Sequence, residues 1–343
     1  MSAPLPLTAP APRPTMPRWR ALLLFDSKYT PLAITIALFV SMTVAGGIVY
    51  DGLLQPQIFL NLFVDNAFLL IVAVGMTFVI LTGGIDLSVG SVIALTTVVS
   101  AVLVEHHGWN PWLVMPLMLL MGAAFGGAMG LLIQRFRLQP FVVTLGGMFL
   151  ARGISFLISV DSISITNPVY MSIAEARLSL GGGCSLSVGA LLSIGVLLAG
   201  IWLAHATAFG RSIYALGGSE ASARLMGLPV AATQIGVYAL SGACSALAGI
   251  VYTFYMLSGY SLHAQGLELD AIAAVVVGGT LLTGGSGYLV GTLFGVLILG
   301  LIQTIITIDG TLSSWWTKIV IGGLLFLFCL LQRLFAGLRR TRV

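Results

Sequence analysis

The few ionisable residues in apolar stretches of this chain are the first candidates for chemistry. Asp86 stands alone in LTGGIDLSVGS, residues 81–91, with almost wholly apolar sequence on both sides. Asp65, Glu268 and Asp270 have similar surroundings. A carboxylate in such a place is costly and can bind a proton, a cation or a passing cargo molecule. At the start of a helix it can instead cap the helix and interact with its dipole.

The polar residues that we consider for a transport pathway are Asp65, Asn66, Asp86, Ser88 and Gln303. Two interpretations of the Asp86 motif stay open, namely a capped turn without contact to cargo and a carboxylate that lines a pathway. Irregular backbone at membrane depth survives only where protein buries it or water reaches it. Because two glycines precede Asp86, the motif predicts a broken or re-entrant segment near 81–91.

The elements that position these residues are predicted to be membrane helices. The chain is 58% hydrophobic and 8% charged, with a mean hydropathy of +1.06. An ordinary soluble domain is about 45–50% apolar and about 25% charged. The composition therefore predicts an all-α polytopic membrane protein. The three cysteines, Cys184, Cys244 and Cys329, have neither paired spacing nor metal-ligand neighbours, so they predict no disulfide framework and no zinc site.

Ten stretches are long and apolar enough to cross a bilayer, which needs about 20 residues per helix. They lie near 31–50, 60–81, 88–104, 112–133, 140–159, 187–204, 234–257, 268–282, 288–307 and 315–332. With the N-terminus inside, the Lys and Arg residues on the cytoplasmic side are Arg13, Arg18, Arg20, Lys28, Arg135, Arg137, Arg211, Arg224, Arg333, Arg339, Arg340 and Arg342. Only Arg177 then lies in an outer loop, which predicts that both termini are cytoplasmic. The net charge of +4 is thus a topology signal and predicts no nucleic-acid partner.

Three regions follow from this pattern. Residues 1–29 are rich in proline and predict a disordered cytoplasmic tail, 30–335 form the transmembrane domain, and 336–343 form a basic cytoplasmic tail. The motif at 81–91 has an echo in LTGGSGYLVGT, residues 282–292, which predicts a second broken segment. The echo has Gly287 in the place of Asp86, so the chain does not carry two symmetric carboxylates.

The longest inner loop, 205–233, contains a short predicted helix. Ser219 can cap this helix, which runs through Met226, and Gly227 can end it. Glu220 and Arg224 are spaced to pair on one face. From the residues alone, two interpretations stay open: the helix docks onto another protein, or it lies on the membrane surface.

Motifs for enzyme catalysis are absent from the sequence. Neither lysine follows a glycine as a P-loop requires, and GxSxG, HExxH and CxxC motifs do not occur. The histidines, His106, His107, His205 and His263, lie at the edges of the predicted spans and are expected to be solvated. We therefore predict no catalytic, metal-binding or cofactor-binding residues and no enzymatic activity.

Several segments carry a resemblance to a known family. They are GGIDLSVGS, GGSEASARLMGL, LELDAIAAVVVGGTLLTGG at 267–285, DNAFLLIVAVGMTFVILTGG at 65–84 and IDGTLSSWWTKI at 308–319. Together they resemble the permease subunits of bacterial sugar ABC importers of the ribose/xylose/galactose type, and most closely the galactofuranose importer. The resemblance covers nearly all of the chain from about residue 30.

The resemblance implies that the 217–228 segment is a coupling helix that seats in a cleft of an ABC ATPase. The implied contact residues are Gly217, Gly218, Ser219, Glu220, Ala221, Arg224, Leu225, Met226 and Gly227. Ser219 stands where the family usually has Asn, and it can still cap. The implied partners are the ATPase, which binds the ATP, a second and different permease, a periplasmic sugar-binding protein, the sugar and the lipid bilayer of the inner membrane.

Two rival functions stay open beside this one. An ion-coupled secondary transporter would use Asp65 or Asp86 as its proton or cation site. A membrane-embedded interaction subunit would have no pore of its own. The predicted helix in the 205–233 loop favours the permease of an ATP-driven importer.

Overall fold

The computed structural model describes residues 30–311, 313 and 315–340, and their side chains through residue 330. The predicted tail at 1–29 lies outside the described residues. The helices are α1 (Thr30–Val49), α2 (Pro56–Asp65), α3 (Ala67–Leu81), α4 (Val89–Ala101), α5 (Pro111–Phe136), α6 (Pro140–Ile158), α7 (Pro168–Glu175), α8 (Val188–Ala206), α9 (Ala208–Gly218), α10 (Glu220–Leu225), α11 (Val230–Met256), α12 (Leu267–Val277), α13 (Leu289–Asp309) and α14 (Trp315–Arg340). A π-helical turn, Val102–His106, extends α4, and the strands are β1 (Ile163–Ser164), β2 (Arg177–Gly181), β3 (Cys184–Ser187) and β4 (Ser258–Gly259).

The long apolar helices confirm an all-α polytopic membrane protein. Within the described residues, 7 helices are long and apolar enough to cross a membrane, and up to 8 if α2 and α3, which meet at an angle of 60°, count as one bent span. The predicted count of ten is not confirmed. The predicted span 268–282 corresponds to α12, whose 11 residues reach only about 17 Å, against about 30 Å for a bilayer core. The predicted span 315–332 corresponds to a shorter apolar helical stretch, Trp315–Leu330.

Both predicted interruptions are present. The chain is non-helical at 82–88, here called the first break, and at 278–288, the second break. In the first break Gly83 has a φ of +82°, a left-handed conformation that glycine adopts without steric cost. The second break begins earlier than the predicted 282, because α12 already ends at Val277.

The protein core surrounds α3 and α11. Every residue of α3 from Leu69 to Leu81 is buried, and α11 packs against α3, α4 and α5. Helices at the periphery carry large exposed apolar side chains instead, such as Phe149 on α6 and Trp202 on α8. Such a surface suits contact with lipid or with another membrane subunit.

The two ends of the bundle differ in structure. At one end, β1 pairs with β4 and β2 pairs with β3, both antiparallel. At the other end lies the α9–α10 segment, which α8 and α11 connect to the strand end. The last helix continues to Arg340, so residues 336–340 of the predicted basic tail are helical, whereas 341–343 lie outside the described residues.

Candidate functional site

The 205–233 segment folds as two consecutive helices. The Thr207 hydroxyl accepts a hydrogen bond from Gly210 N at 3.1 Å and starts α9. Ser219 ends α9 and caps α10, accepting a bond from Ser222 N at 3.3 Å, as the sequence predicts. The predicted loop therefore contains a helix, α9, that the sequence analysis missed, because the pair Gly217–Gly218 is typical of a loop. Gly227, with a φ of +75°, follows the end of α10 as predicted.

Helix α10 presents a polar side and an apolar tip to solvent. Arg224 and Glu220 form an ion pair of 2.6 Å, and both side chains are about half exposed. Leu225 is 91% exposed and Met226 65% exposed. On the opposite side, Ala223 is buried in a small apolar cluster that holds α10 to its neighbours. Two large apolar side chains at an exposed tip are the kind of group that anchors a protein contact.

The end of α9 meets both copies of the LTGG motif. Gly285 N in the second break donates a hydrogen bond to Leu81 O, at the end of α3, at 2.9 Å. Gly217 sits against this bond, so a Cβ there would collide with Leu81 O and Gly285 N. We call this contact of α9 with both breaks the glycine junction. The sequence predicts both breaks, but it does not predict that they touch.

Side chains tie the second break to α8 and α9. The Tyr214 hydroxyl on α9 donates to Gly287 O at 2.8 Å. The ring of His205, at the end of α8, stacks on Tyr288, with a centroid distance of 6.0 Å and 9° between the planes. The second break is therefore in direct contact with both helices.

A cleft of about 610 Å³ separates α10 from the first break. Its lining residues include Thr82, Gly83, Gly84, Arg137, Pro140, Glu220, Ala221, Arg224 and Gln234. Predicted coupling residues and the first break thus share one open space at this end of the bundle.

Asp86 is fully buried. Its carboxylate accepts hydrogen bonds from Ser88 N at 2.9 Å, from the Ser88 hydroxyl at 2.6 Å and from the Ser241 hydroxyl on α11 at 2.7 Å. Neither Asp86 nor Ser88 caps α4. The Asp86 carboxylate bonds to Ser88 and to Ser241 of α11 instead, and the Ser88 side chain makes no capping bond. This enclosure favours the interpretation of a turn without contact to cargo.

The remaining pathway candidates lie about 20 Å away, at the other end of α3. Asp65 and Asn66 form the bend between α2 and α3. Asn66 is buried, donates from Nδ2 to Leu62 O at 2.9 Å and packs against Gly300 of α13. Gln303, one turn beyond Gly300, is exposed. The structure therefore separates the five candidates into two groups.

Arg152 is a positioning residue that the sequence analysis did not explain. From within α6, its Nη1 atom donates to Ser261 O at 2.6 Å and to His263 O at 2.8 Å. These carbonyls belong to the non-helical segment between β4 and α12, here called the 260–266 loop. The loop runs beside the last turns of α6, and Arg152 satisfies carbonyls that lipid could not. The expectation that His263 is solvated was wrong, since it is 8% exposed.

The described part of the chain contains no group of His, Cys, Asp and Glu residues that could hold a metal ion. Lys318 forms an ion pair of 2.6 Å with Asp270 at the start of α12. That acid, considered above for its apolar surroundings, thus has a cationic partner.

Comparison with known proteins adds the family. Residues 58–329 match the family described as the permease component of the branched-chain amino acid transport system. The chain belongs to this permease family. No solved structure matches it.

Curated relatives of this permease cover most of its length. The inner membrane ABC transporter permease protein YjfF of Escherichia coli is 52% identical over 88% of this chain and 92% of its own. The fructose import permease of Bifidobacterium longum is 42% identical over 90% and 92%. The ribose import permease of Haemophilus influenzae is 40% identical over 78% and 84%.

Membership has direct consequences for this permease. Subunits of this kind are multi-pass proteins of the inner membrane and are not enzymes themselves. They work with a separate ATPase and a substrate-binding protein. The ATPase and the binding protein that the sequence analysis predicts as partners are thus confirmed.

Proposed function

We propose that this permease forms, with a second and different permease, the pathway of an ATP-driven importer for a monosaccharide, galactofuranose or a related sugar. A periplasmic binding protein delivers the sugar, and a partner ATPase binds the ATP. This chain itself holds no cofactor. The relatives named for ribose and fructose import support a sugar as cargo.

The observation that carries the proposal is the connection from the exposed tip of α10 to both breaks. Leu225 and Met226 offer a contact to the ATPase, while Gly217, one turn before α10, packs against Leu81 and Gly285. A push on α10 therefore reaches the end of α3 and the second break, which leads into α13, through backbone contacts. Close-packed contacts transmit such displacements because interiors compress little.

The proposed orientation places both termini and the α9–α10 segment in the cytoplasm. The Lys and Arg bias between the loops supports it. The four strands then lie at the periplasmic end, where the binding protein docks.

The test replaces the apolar tip without disturbing the fold. Leu225→Asp puts a charge on a side chain that is 91% exposed, so it leaves the helix intact. We expect at least a tenfold loss of ATPase co-purification and of sugar uptake, because buried apolar anchors at interfaces contribute about 2 kcal/mol or more. Leu180→Asp, at an exposed leucine in β2 at the opposite end, is the matched control for ATPase co-purification, which it should leave unchanged.

A second variant probes the polar side of α10. Glu220→Arg replaces an attractive pair by a repulsive one, a local cost of a few tenths of a kcal/mol. A clear loss of ATPase binding from so small a local cost would identify a contact with the partner. Wild-type ATPase binding in both α10 variants would contradict the proposed coupling role.

Ion-coupled secondary transport by Asp65 or Asp86 is the alternative. Asp86 is buried and its carboxylate accepts three hydrogen bonds from the protein, which does not suit a site that exchanges ions with water. Accumulation of sugar on a proton gradient, in vesicles with both permeases and no ATPase, would support the alternative.

A further inference from the structure

A chain of aromatic rings runs through the strand end of this permease. Tyr255 and Phe68 lie 6.0 Å apart between centroids, Phe68 and Tyr252 4.8 Å, Tyr252 and His263 5.0 Å, and His263 and Tyr260 5.6 Å. This row of rings connects α11 and the first turn of α3 with the 260–266 loop. It therefore joins two places where the helices of the bundle are interrupted.

The outer end of this aromatic chain opens into a cavity of about 280 Å³. Phe68 and Tyr255 line it together with Glu175 and Arg177, which lie at the end of α7 and the start of β2, and most of the other lining residues are apolar. Asp65 accepts a hydrogen bond from the Tyr255 hydroxyl at 3.4 Å. This volume lies just below the roughly 300 Å³ at which pockets for drug-sized ligands begin, and a monosaccharide is smaller than a drug-sized ligand.

Packing alone does not account for this arrangement. Tyr255 is 52% exposed, and Asp65, Glu175 and Arg177 are exposed as well. A carboxylate and a guanidinium beside exposed rings are unsuited to lipid tails, in which charged groups are costly. The cavity therefore faces water or a polar ligand.

We infer that this cavity is a contact site for a neutral monosaccharide as it enters the pathway, an inference that rests on the proposed function. Sugars present apolar C–H faces that pack on aromatic rings and hydroxyl groups that hydrogen-bond to charged side chains. Phe68 and Tyr255 supply the ring faces, Glu175 and Arg177 supply an acceptor and donors, and Asp65 holds the Tyr255 hydroxyl. The site lies at the end of the bundle opposite α10, where the proposed function places the binding protein.

The 260–266 loop continues this polar surface inward. Gln265 on the loop is exposed, and Arg152 fixes the loop from behind through Ser261 O and His263 O. Tyr260 and His263 bring the ring chain to the same loop. The rings and the amide of Gln265 thus lie beside the loop that Arg152 holds in place.

The experiment uses the whole importer, with both permeases and the ATPase, in proteoliposomes supplied with sugar-loaded binding protein. Uptake of radiolabelled D-galactose, D-ribose, D-fructose and D-allose is measured per ATP hydrolysed. Tyr255→Leu removes the ring, Tyr255→Phe keeps it, and Phe149→Leu removes a ring that is 66% exposed on α6. We expect about a fivefold fall for Tyr255→Leu, the size of one aromatic contact. We expect a smaller fall for Tyr255→Phe, which keeps the ring and loses only the hydroxyl that bonds to Asp65, and near wild-type uptake for Phe149→Leu.

A second measurement reports contact rather than stability. In a variant with Cys184, Cys244 and Cys329 replaced by serine or alanine, Tyr255→Cys is labelled from outside with a charged thiol reagent. We expect labelling, and we expect the transported sugar at saturating concentration to slow it severalfold. Labelling that no sugar slows, or equal uptake per ATP in Tyr255→Leu and Phe149→Leu, overturns the inference and leaves the proposed function standing. No ATP-driven uptake of galactofuranose or of any of the four sugars by the wild-type importer overturns the proposed function and the inference with it.

Discussion

The first and second breaks each lie at a copy of the sequence LTGG, yet they are stabilised by contacts with different parts of the protein. In the first break, Asp86 binds Ser88 within the turn and Ser241 of α11, so the turn is fastened to the core. In the second break, the acid is replaced by Gly287, whose carbonyl oxygen accepts a bond from Tyr214 of α9. One break is therefore anchored to α11, a long helix of the core, and the other to the segment that carries α10, the proposed coupling helix.

This difference assigns different mechanical roles to the two breaks. The first break serves as a fixed support, because three hydrogen bonds to a buried carboxylate resist displacement. We expect the second break to follow α9, to which it is bonded, and α13 starts at its end. The Leu81 O to Gly285 N bond is where the moving break rests on the fixed one.

The largest expected effect comes from separating the two breaks at the glycine junction. Gly217→Ala places a methyl group against Leu81 O and Gly285 N, backbone atoms that cannot rotate away. Overpacking of this kind costs about 3 kcal/mol, and we expect ATP-driven uptake to fall at least tenfold. Gly218→Ala is the matched control, since a Cβ there meets nothing within 4 Å. Equal uptake by both variants would show that the junction transmits nothing.

A smaller effect is expected from loosening the fixed break. Asp86→Asn keeps one acceptor oxygen and loses the charge, a cost of roughly 2 kcal/mol, visible as a lower unfolding temperature of the purified importer. Uptake driven by ATP should persist at more than half the wild-type rate, because the carboxylate supports the turn and does not carry cargo. The double variant with Ser241→Ala should lose less stability than the sum of the two single variants, since both remove the same contact. Abolished uptake in a stably folded Asp86→Asn would instead support the ion-coupled alternative.

The sequence predicted what local chemistry determines and missed what tertiary contacts determine. The double glycines predicted both breaks, and Ser219 with Gly227 predicted both limits of α10, because caps and left-handed residues act over a few positions. The sequence analysis missed α9, since Gly217–Gly218 reads as a loop unless one knows that Gly217 is needed for a close approach. A length criterion could not show that α12 is only half as long as a full span.

Hydrogen bonds between residues far apart in the sequence could not be predicted from the sequence either. Asp86 and Ser241 are 155 residues apart, and Arg152 lies 109 residues before Ser261. No pattern of spacing pairs residues so far apart. The presence of an arginine inside a span nevertheless signals that some polar backbone must lie beside it, and here that backbone is the 260–266 loop.

The smallest expected effect tests the link between α9 and the moving break. Tyr214→Phe removes only the hydroxyl that donates to Gly287 O, worth about 1 kcal/mol. Because α10 and its exposed tip are untouched, the ATPase should still co-purify, while uptake per ATP hydrolysed should fall about two- to fivefold. Tyr50→Phe is the matched control, since its hydroxyl bonds to Asp309 at the opposite end of α13. If the two variants lower uptake equally, the second break does not follow α9. If Tyr214→Phe alone lowers it, the hydrogen bond is part of the path by which the coupling helix moves α13.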